Sequence, residues 1–291
     1  MSDILADGSS ATLYDPMSTR DFERLGDIIE QHCGIRMPAT KRTMVEGRLR
    51  RRVKALKLSS LHEYCRYILD EGALDAELVN LIDVVTTNKT DFFREMEHFR
   101  FLSSVGLKTL MQLPHGPGRD RPMKFWSAAC STGAEPYTLA MVLREFERTQ
   151  RSFRFEIYAT DICTEVLAQA KLAVYPESMA STVPPDLAGR YLRRSRRRDN
   201  PTLRLVPEIR QAVRFGHLNL MDPEYRMPTD MDVIFCRNIL IYFDKPTQKA
   251  VLDKLCRHLR PGGYLFVGHS ETVSSLDLPI VQAATAIFMR R

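Results

Sequence analysis

No run of 18 or more apolar residues occurs in the 291-residue chain, so no segment is long enough to cross a bilayer as a helix. The opening residues, MSDILADGSSATLYD, lack the basic start and apolar stretch of a secretory signal, which predicts a cytoplasmic location without membrane insertion. Without secretion, the sequon Asn88-Lys89-Thr90 has no meaning as a glycosylation site. The cysteines, at Cys33, Cys65, Cys130, Cys163, Cys236 and Cys256, include no CxxC pair, and neither they nor the histidines show zinc-ligand spacing. No metal site is expected, and most of these thiols read as small buried apolar groups. A GxGxxG fingerprint is also missing.

What is present is material for a sizeable core: 44% of residues are apolar, enough at this length for two domains. Residues 1–17 are small and polar, and read as a disordered tail. Residues 18–86 carry helical patterns with hardly a glycine or proline inside them, and form an all-α N-terminal domain. Within it, residues 44–58 place Val45, Leu49, Val53 and Leu56 on one helix face and Arg48, Arg51 and Arg52 on another, flanked by Arg50 and Lys54. A solvated charged face would look like this, but the density of arginine points to an anionic partner. The net charge of +6 admits nucleic acid as that partner. No nucleic-acid motif accompanies it.

Residues 87–291 alternate strand and helix. Residues 126–137, WSAACSTGAEPY, end a buried strand in small residues and open a helix at Pro136, behind which Leu139, Val142, Leu143 and Phe146 recur at helical spacing. This is a ligand-binding turn that several nucleotide cofactors would suit. Residues 153–161, FRFEIYATD, alternate as a second strand delivering Asp161 at its carboxyl end, where a carboxylate can grip ribose hydroxyls. Residues 232–242, DVIFCRNILIY, run into Arg237 and Asn238 as the apolar pattern breaks. Asp244 and Pro246 then start a helix that stops at Arg260-Pro261-Gly262-Gly263, before YLFVGHSE resumes as a strand. Such alternation implies a mainly parallel sheet with helices on both faces and ligands outside the carboxyl ends of its strands. Residues 191–215, with RRSRRRDNP, LRLV and VRF, read as an inserted antiparallel flap.

A nicotinamide dehydrogenase fits this plan. The turn nevertheless lacks the second and third glycines that seat a pyrophosphate, and S-adenosylmethionine has no pyrophosphate. The LRPGGYLFV segment is typical of the fifth-strand region of class I, Rossmann-like methyltransferases.

Four segments together, TTNKTDFFRE (86–95), WSAACSTGAEPY, ATDICTEVL (159–167) and FCRNILIYFDKPTQ (235–248), resemble the CheR family of chemotaxis-receptor glutamate methyltransferases, and GHSE (268–271) also matches. The resemblance extends from about Ser18 to the C-terminus. It implies a class I methyltransferase domain after an all-α domain, transfer of a methyl group from S-adenosylmethionine to receptor glutamates, and S-adenosylhomocysteine as product; a monomer without a nucleic-acid partner is expected. A methyltransferase on another substrate, such as nucleic acid, and a noncatalytic cofactor-sensing module are the alternatives. Retention of Arg94 and Tyr242 argues against the module.

By the same resemblance Asn88, Thr90 and Arg94 face the cofactor, with Arg94 also orienting the acceptor carboxylate while Phe92 and Phe93 anchor the segment. Glu135 corresponds to the second acid of the family's Gly-Glu-Glu-Pro and meets the methionine end of the cofactor; Ala134 replaces the first acid. Asp161 takes the ribose, Asn219 and Leu220 lie where the family contacts adenine, and Arg237 and Asn238 bracket cofactor and substrate. Tyr242 stands near the transferred methyl. Cys163 occupies a position that is often polar in the family, which leaves it no direct cofactor role, and His98, His217 and His269 read as structural. The basic helix, with Arg48, Arg51 and Arg52, is expected against acidic receptor helices. The flap of family members often holds a C-terminal receptor peptide by strand addition. Here its usually glycine-containing turn reads Ser195-Arg196-Arg197-Arg198, a departure from that pattern.

Overall fold

The computed structural model describes residues 15–113, 116–196 and 199–291. The chain divides into two compact units, with the division between Thr87 and Asn88. Residues 1–14 of the expected tail lie outside the described residues, but Met17, placed in that tail, is 1% exposed and donates its N–H to Glu46 at 3.0 Å. An apolar side chain and a paired amide fix it, so the ordered chain starts earlier than its polar composition suggests.

The first unit consists of α1 (Thr19–Cys33), α2 (Arg42–Ala55), α3 (Leu61–Leu69) and α4 (Leu74–Val85). Ser18 caps α1 by accepting the Asp21 N–H at 3.0 Å, and the helix ends at Gly34, whose φ of +73° is the left-handed conformation that favours glycine at this position. Ser60 caps α3 in the same way, accepting from Glu63 N–H, while the Glu63 carboxylate reaches back to Ser59 N–H. Apolar stripes pack inward: Phe22, Leu25 and Ile29 of α1, Val45 and Leu49 of α2, Tyr64 and Ile68 of α3, Leu81 and Val85 of α4. Each aliphatic side chain so buried stabilises by about 1.5–3 kcal/mol.

The arginines of α2 divide. Arg52 pairs with Glu77 through two N···O contacts of 2.6 and 3.0 Å, and Glu77 is itself 4% exposed. Arg48 donates to the carbonyls of Val85 and Thr86 at 2.6 and 2.8 Å, satisfying acceptors that the end of α4 leaves without an intrahelical donor. Residues four apart share a helix side, and that side of α2 meets α4. Arg50, Arg51 and Lys54 are exposed. The expected single face of Arg48, Arg51 and Arg52 is therefore corrected: only Arg51 of the three stands fully outward.

In the second unit α5 (Met96–Phe101) runs through a π-helical turn (Leu102–Gly106) into α6 (Leu107–Met111). Then follow β1 (Met123–Ala128), α7 (Ala134–Thr149), β2 (Phe155–Asp161), α8 (Thr164–Leu172), β3 (Val174–Pro176), α9 (Pro185–Tyr191), β4 (Leu192–Arg194), β5 (Thr202–Leu205), α10 (Pro207–Arg210), β6 (Val213–His217), β7 (Met231–Cys236), α11 (Lys245–His258), β8 (Leu259–Phe266), β9 (Ile280–Ala284) and β10 (Ile287–Arg290). Seven strands form one sheet in the order β6-β2-β1-β7-β8-β10-β9. β10 is antiparallel to β8 and β9, and the remaining pairs are parallel. Strand β7 is buried at every position, as a central parallel strand covered on both faces must be. The Arg-Pro-Gly-Gly segment read as a turn lies inside β8, where a register shift against β7 accommodates it.

The flap is a second sheet in the order β3-β5-β4. Its composition differs from expectation at both ends. Val174–Pro176, upstream of the proposed insertion, supplies an edge strand, whereas the VRF segment belongs to β6 and pairs in parallel with β2. Alternation marks VRF as a strand, but hydrogen-bond partners decide which sheet it joins. In the flap turn, Arg197 and Arg198 lie outside the described residues.

Candidate active site at the carboxyl ends of the strands

The chain adds β2 and β6 on one side of β1 and then returns to place β7 and β8 on the other, so the strand order reverses beside β1. A crevice opens at the carboxyl ends of an open α/β sheet at such a point. Adjacent strands bring residues singled out from the sequence to those ends: Asn219 and Leu220 follow β6, Asp161 ends β2, Glu135 opens α7 after β1, and Arg237 and Asn238 follow β7.

The turn after β1 is tightly wound. Ala129 and Ser131 have φ of +61° and +51°, and Gly133, at +89°, caps α7. Non-glycine residues in this region cost on the order of 1 kcal/mol or more each and persist where surrounding structure imposes them. Here the constraint is visible. Ser131 N–H donates to one oxygen of Asp161 at 2.7 Å, and Cys163 N–H donates to the other at 2.9 Å. The Ser131 hydroxyl donates to the carbonyl of Asn88 at 2.8 Å, and the Asn88 amide reaches the Cys163 sulfur at 3.5 Å. Asn88, Ser131, Asp161 and Cys163 thus form one connected set, with Asp161 only 6% exposed. Asn219 is 8% exposed, and its side-chain oxygen accepts the Met221 N–H at 2.9 Å. Leu220 is buried and its carbonyl accepts from Tyr225 and Lys254.

A second set forms where β1 and β7 end. One Glu135 oxygen accepts the Ser127 hydroxyl at 2.7 Å, and the other accepts from Arg237 at 2.9 Å. The second amino group of Arg237 donates to Glu95 at 3.0 Å and to the Arg94 carbonyl. Asn238, at φ +59°, donates its side-chain amide to the other Glu95 oxygen at 3.1 Å. Burial would raise the Glu95 pKa, but Arg237 and these hydrogen bonds outweigh it and hold the carboxyl below its ordinary value. The Arg237 guanidinium also lies 5.6 Å from the Phe99 ring centre and 5.9 Å from that of Phe235.

Arg237 was expected to bracket cofactor and substrate. Its side chain is 2% exposed and braced between two carboxylates, because a desolvated guanidinium is tolerable only when its charge is matched. It positions Glu135 and Glu95. Arg94, by contrast, is exposed, with one guanidinium nitrogen donating to the Lys89 carbonyl at 3.2 Å. The phenylalanines before it do anchor the segment: Phe92 meets Tyr175 edge-on at 4.9 Å, and Phe93 N–H donates to the Thr138 hydroxyl at 3.1 Å. Thr90 is half-buried, and half-buried Tyr242 ends a 3-10 turn (Leu240–Tyr242).

Sequence reasoning did not single out Glu95 or Glu271 as site residues. Glu271, 9% exposed, accepts backbone N–H groups from Gly268 and Asn238 on one oxygen at 2.5 and 3.0 Å, and from Leu240 on the other at 2.7 Å. Burial outweighs these bonds and raises its pKa. The available signal was membership of FFRE and GHSE, the two quoted motifs that end in these acids.

Ligand atoms of Glu95, His98 and His269 lie within 4.8 Å of one another. His98 is 1% exposed, its Nδ1 lies 3.5 Å from a Glu95 oxygen, and burial followed by the charge of Arg237 pushes its pKa down to about 3.

Residues 20–86 match the family described as CheR methyltransferase, all-alpha domain, and residues 88–287 match CheR methyltransferase, SAM binding domain. The chemotaxis protein methyltransferase of Klebsiella aerogenes is 37% identical over 264 residues, covering 90% of this chain and 86% of that one. Chemotaxis protein methyltransferase 2 of Pseudomonas aeruginosa is 38% identical over 253 residues, 86% of each chain. The Escherichia coli chemotaxis protein methyltransferase is 36% identical over 261 residues, 90% of this chain and 87% of its own.

The donor set fits S-adenosylmethionine. Acceptors suited to a ribose stand at the end of β2, polar groups follow β6, and Glu135 with the segment from Asn88 flanks the turn after β1. The strands from β6 through β2 and β1 to β7 are consecutive neighbours, so these groups spread over about 14 Å at the usual strand spacing, a span suited to an extended nucleoside joined to an amino acid. A reversal of strand order furnished with these side chains, in a chain matched by both family descriptions along nearly its whole length, makes this protein a member of the CheR family of S-adenosylmethionine-dependent methyltransferases.

Proposed function

We propose that the chain methylates glutamate side chains in the cytoplasmic helical region of chemotaxis receptors, giving glutamyl methyl esters, and that it works in the cytoplasm. Among the described residues no helix is long and apolar enough to cross a membrane. One observation carries the choice of acceptor. The carboxylates gathered at the strand ends, Glu95, Glu135, Asp161 and Glu271, each accept hydrogen bonds from protein donors, and His98 is buried and neutral, while Arg94, whose backbone carbonyl accepts from Arg237, keeps an exposed guanidinium. This equipment suits an acceptor that arrives already deprotonated. A glutamate side chain, with an ordinary pKa of about 4.3, is such an acceptor at neutral pH.

Bound S-adenosylmethionine supplies an electrophilic methyl group on a positively charged sulfur. The acceptor oxygen contributes a lone pair to the new carbon–oxygen bond as the carbon–sulfur bond breaks, and no proton moves. The work left to the protein is alignment and partial desolvation of an anion. Arg94 orients the acceptor carboxylate, and Tyr242 lines the transfer point. Asp161 holds the ribose and Asn219 with Leu220 the adenine; Asn88, Thr90 and Glu135 serve the methionine end. Asn238 and Arg237 brace this end through Glu95 and Glu135. In the first unit, exposed Arg51 with Arg50 and Lys54 offers a positive surface to an acidic receptor helix.

Incubation with receptor-containing membranes and methyl-labelled S-adenosylmethionine tests the acceptor. Glutamyl esters release volatile labelled methanol in alkali. Label that survives alkali, as on a nitrogen of protein or nucleobase, would overturn the assignment.

A further inference from the structure

The segment that follows β7 closes a 3-10 turn with its own bonds, Tyr242 N–H to the Ile239 carbonyl and Phe243 N–H to the Leu240 carbonyl at 3.1 Å each, but its start is held from outside. Asn238 sits at φ +59°, and the N–H groups of Asn238 and Leu240 turn away from the strand ladder into a single side chain, Glu271, which also collects the N–H of Gly268. Two loops, one after β7 and one after β8, are thus gathered on one buried carboxylate. A carboxylate is an acceptor on both oxygens, which is what three converging N–H groups require. Gly268 closes the same joint. A Cβ there would meet the Asn238 side-chain nitrogen at 2.5 Å, the Glu271 oxygen at 2.9 Å and the Asn238 backbone nitrogen at 3.0 Å.

We propose that Glu271 is a positioning residue for methyl transfer: it fixes the backbone of residues 238–240, and through it the place of Tyr242 at the transfer point. The inference rests on the assignment of Tyr242 above. Asp161 and Asn219, further along the sheet, keep their own partners and do not depend on this joint.

Two substitutions approach the joint from opposite sides. Glu271→Gln keeps the size of the side chain but turns an amide donor toward one of the N–H groups. Gly268→Ala removes no hydrogen bond and needs no left-handed backbone, but pushes Asn238 and Glu271 apart. Calorimetric titration with S-adenosylmethionine counts folded, binding-competent molecules, and kcat is expressed per such molecule. Both variants are expected to lose kcat by about tenfold or more, the scale on which ångström displacements act; in Glu271→Gln, which leaves the Asn238 side-chain amide on Glu95, cofactor Kd should stay within about threefold of the parent. Parent-like kcat per binding site in Glu271→Gln overturns the proposal, as does parent-like kcat in Gly268→Ala should the first variant fail to fold. A merely structural Glu271 would lower Tm and leave that kcat unchanged. Tyr242→Ala, measured alongside, separates the two levels: its loss of kcat with a fully active Glu271→Gln sinks only the positioning role, whereas full activity of Tyr242→Ala removes the assignment beneath it.

Discussion

Arg237, after β7, and Glu135, in the first turn of α7, form an ion pair of 2.9 Å with the arginine side chain only 2% exposed, tying together two neighbouring strand ends on either side of the strand-order reversal. The same guanidinium holds Glu95. Arg237→Met therefore leaves two half-buried carboxylates without their countercharge, a loss of about 3–5 kcal/mol by analogy with other broken buried pairs. Thermal melting should show a fall of several degrees, and bound cofactor should recover part of it.

Asp161→Ala should weaken S-adenosylmethionine binding by about 1.5–3 kcal/mol, the scale of hydrogen bonds to a charged acceptor. The carboxylate also receives Ser131 and Cys163 N–H groups, so some loss of stability should accompany it. Calorimetry reads the affinity. An unchanged Kd in a folded variant would take Asp161 out of the ribose site.

Arg94 is exposed, and Arg94→Ala should leave the melting temperature close to the parent's. Alkali-labile methyl transfer should fall by about 100-fold, because a charge aimed at the reacting carboxylate is gone. Parent-like turnover would return Arg94 to a surface role.

The divided arginines of α2 separate recognition from folding. Arg51→Glu should raise the receptor Michaelis constant and flatten its salt dependence, with Tm and cofactor affinity unchanged. Arg52→Glu should instead set two acids against each other at Glu77 and melt the first unit early. If receptor methylation ignores Arg51→Glu across salt concentrations, the exposed face is only solvated.

His98 gives a pH signature. Its pKa is about 3 in the fold against an ordinary 6.5, so the folded state prefers the neutral ring. The stability this contributes is whole above about pH 6.5 and declines as pH falls toward 3, by up to about 1.4 kcal/mol per unit. Melting temperatures from pH 7 to pH 4 should fall less steeply in His98→Phe than in the parent. Equal slopes would show that the ring is not held neutral.

Alternation interrupted by Asp161 and by Arg237-Asn238 was enough to place the carboxyl ends of β2 and β7, because strand ends are where buried periodicity must stop. Pairing partners were less visible. Three residues ending in Pro176 carry no strand pattern by themselves, and only β5 makes β3 a strand. Charged residues misled for a related reason. A helical wheel separates Arg48 and Arg52 from Leu49 but is silent about Glu77 and the end of α4, and nothing local in FCRN tells that Arg237 is enclosed by acids from distant segments. Glu95 and Glu271 matter through the backbone and side chains they gather, which only the folded chain brings near.

All six thiols are buried, Cys33 and Cys65 in the first unit and Cys130, Cys163, Cys236 and Cys256 in the second, and burial pushes those of Cys33 and Cys256 up to about 11. Thiolate, the species that reacts, is thus scarce until the surrounding structure opens. A brief pulse of alkylating reagent followed by intact-mass measurement would therefore act as a built-in clock of breathing. Adducts arriving in pairs would report excursions of the helical unit, and those arriving in fours would report excursions of the catalytic one, with no engineered probe in either.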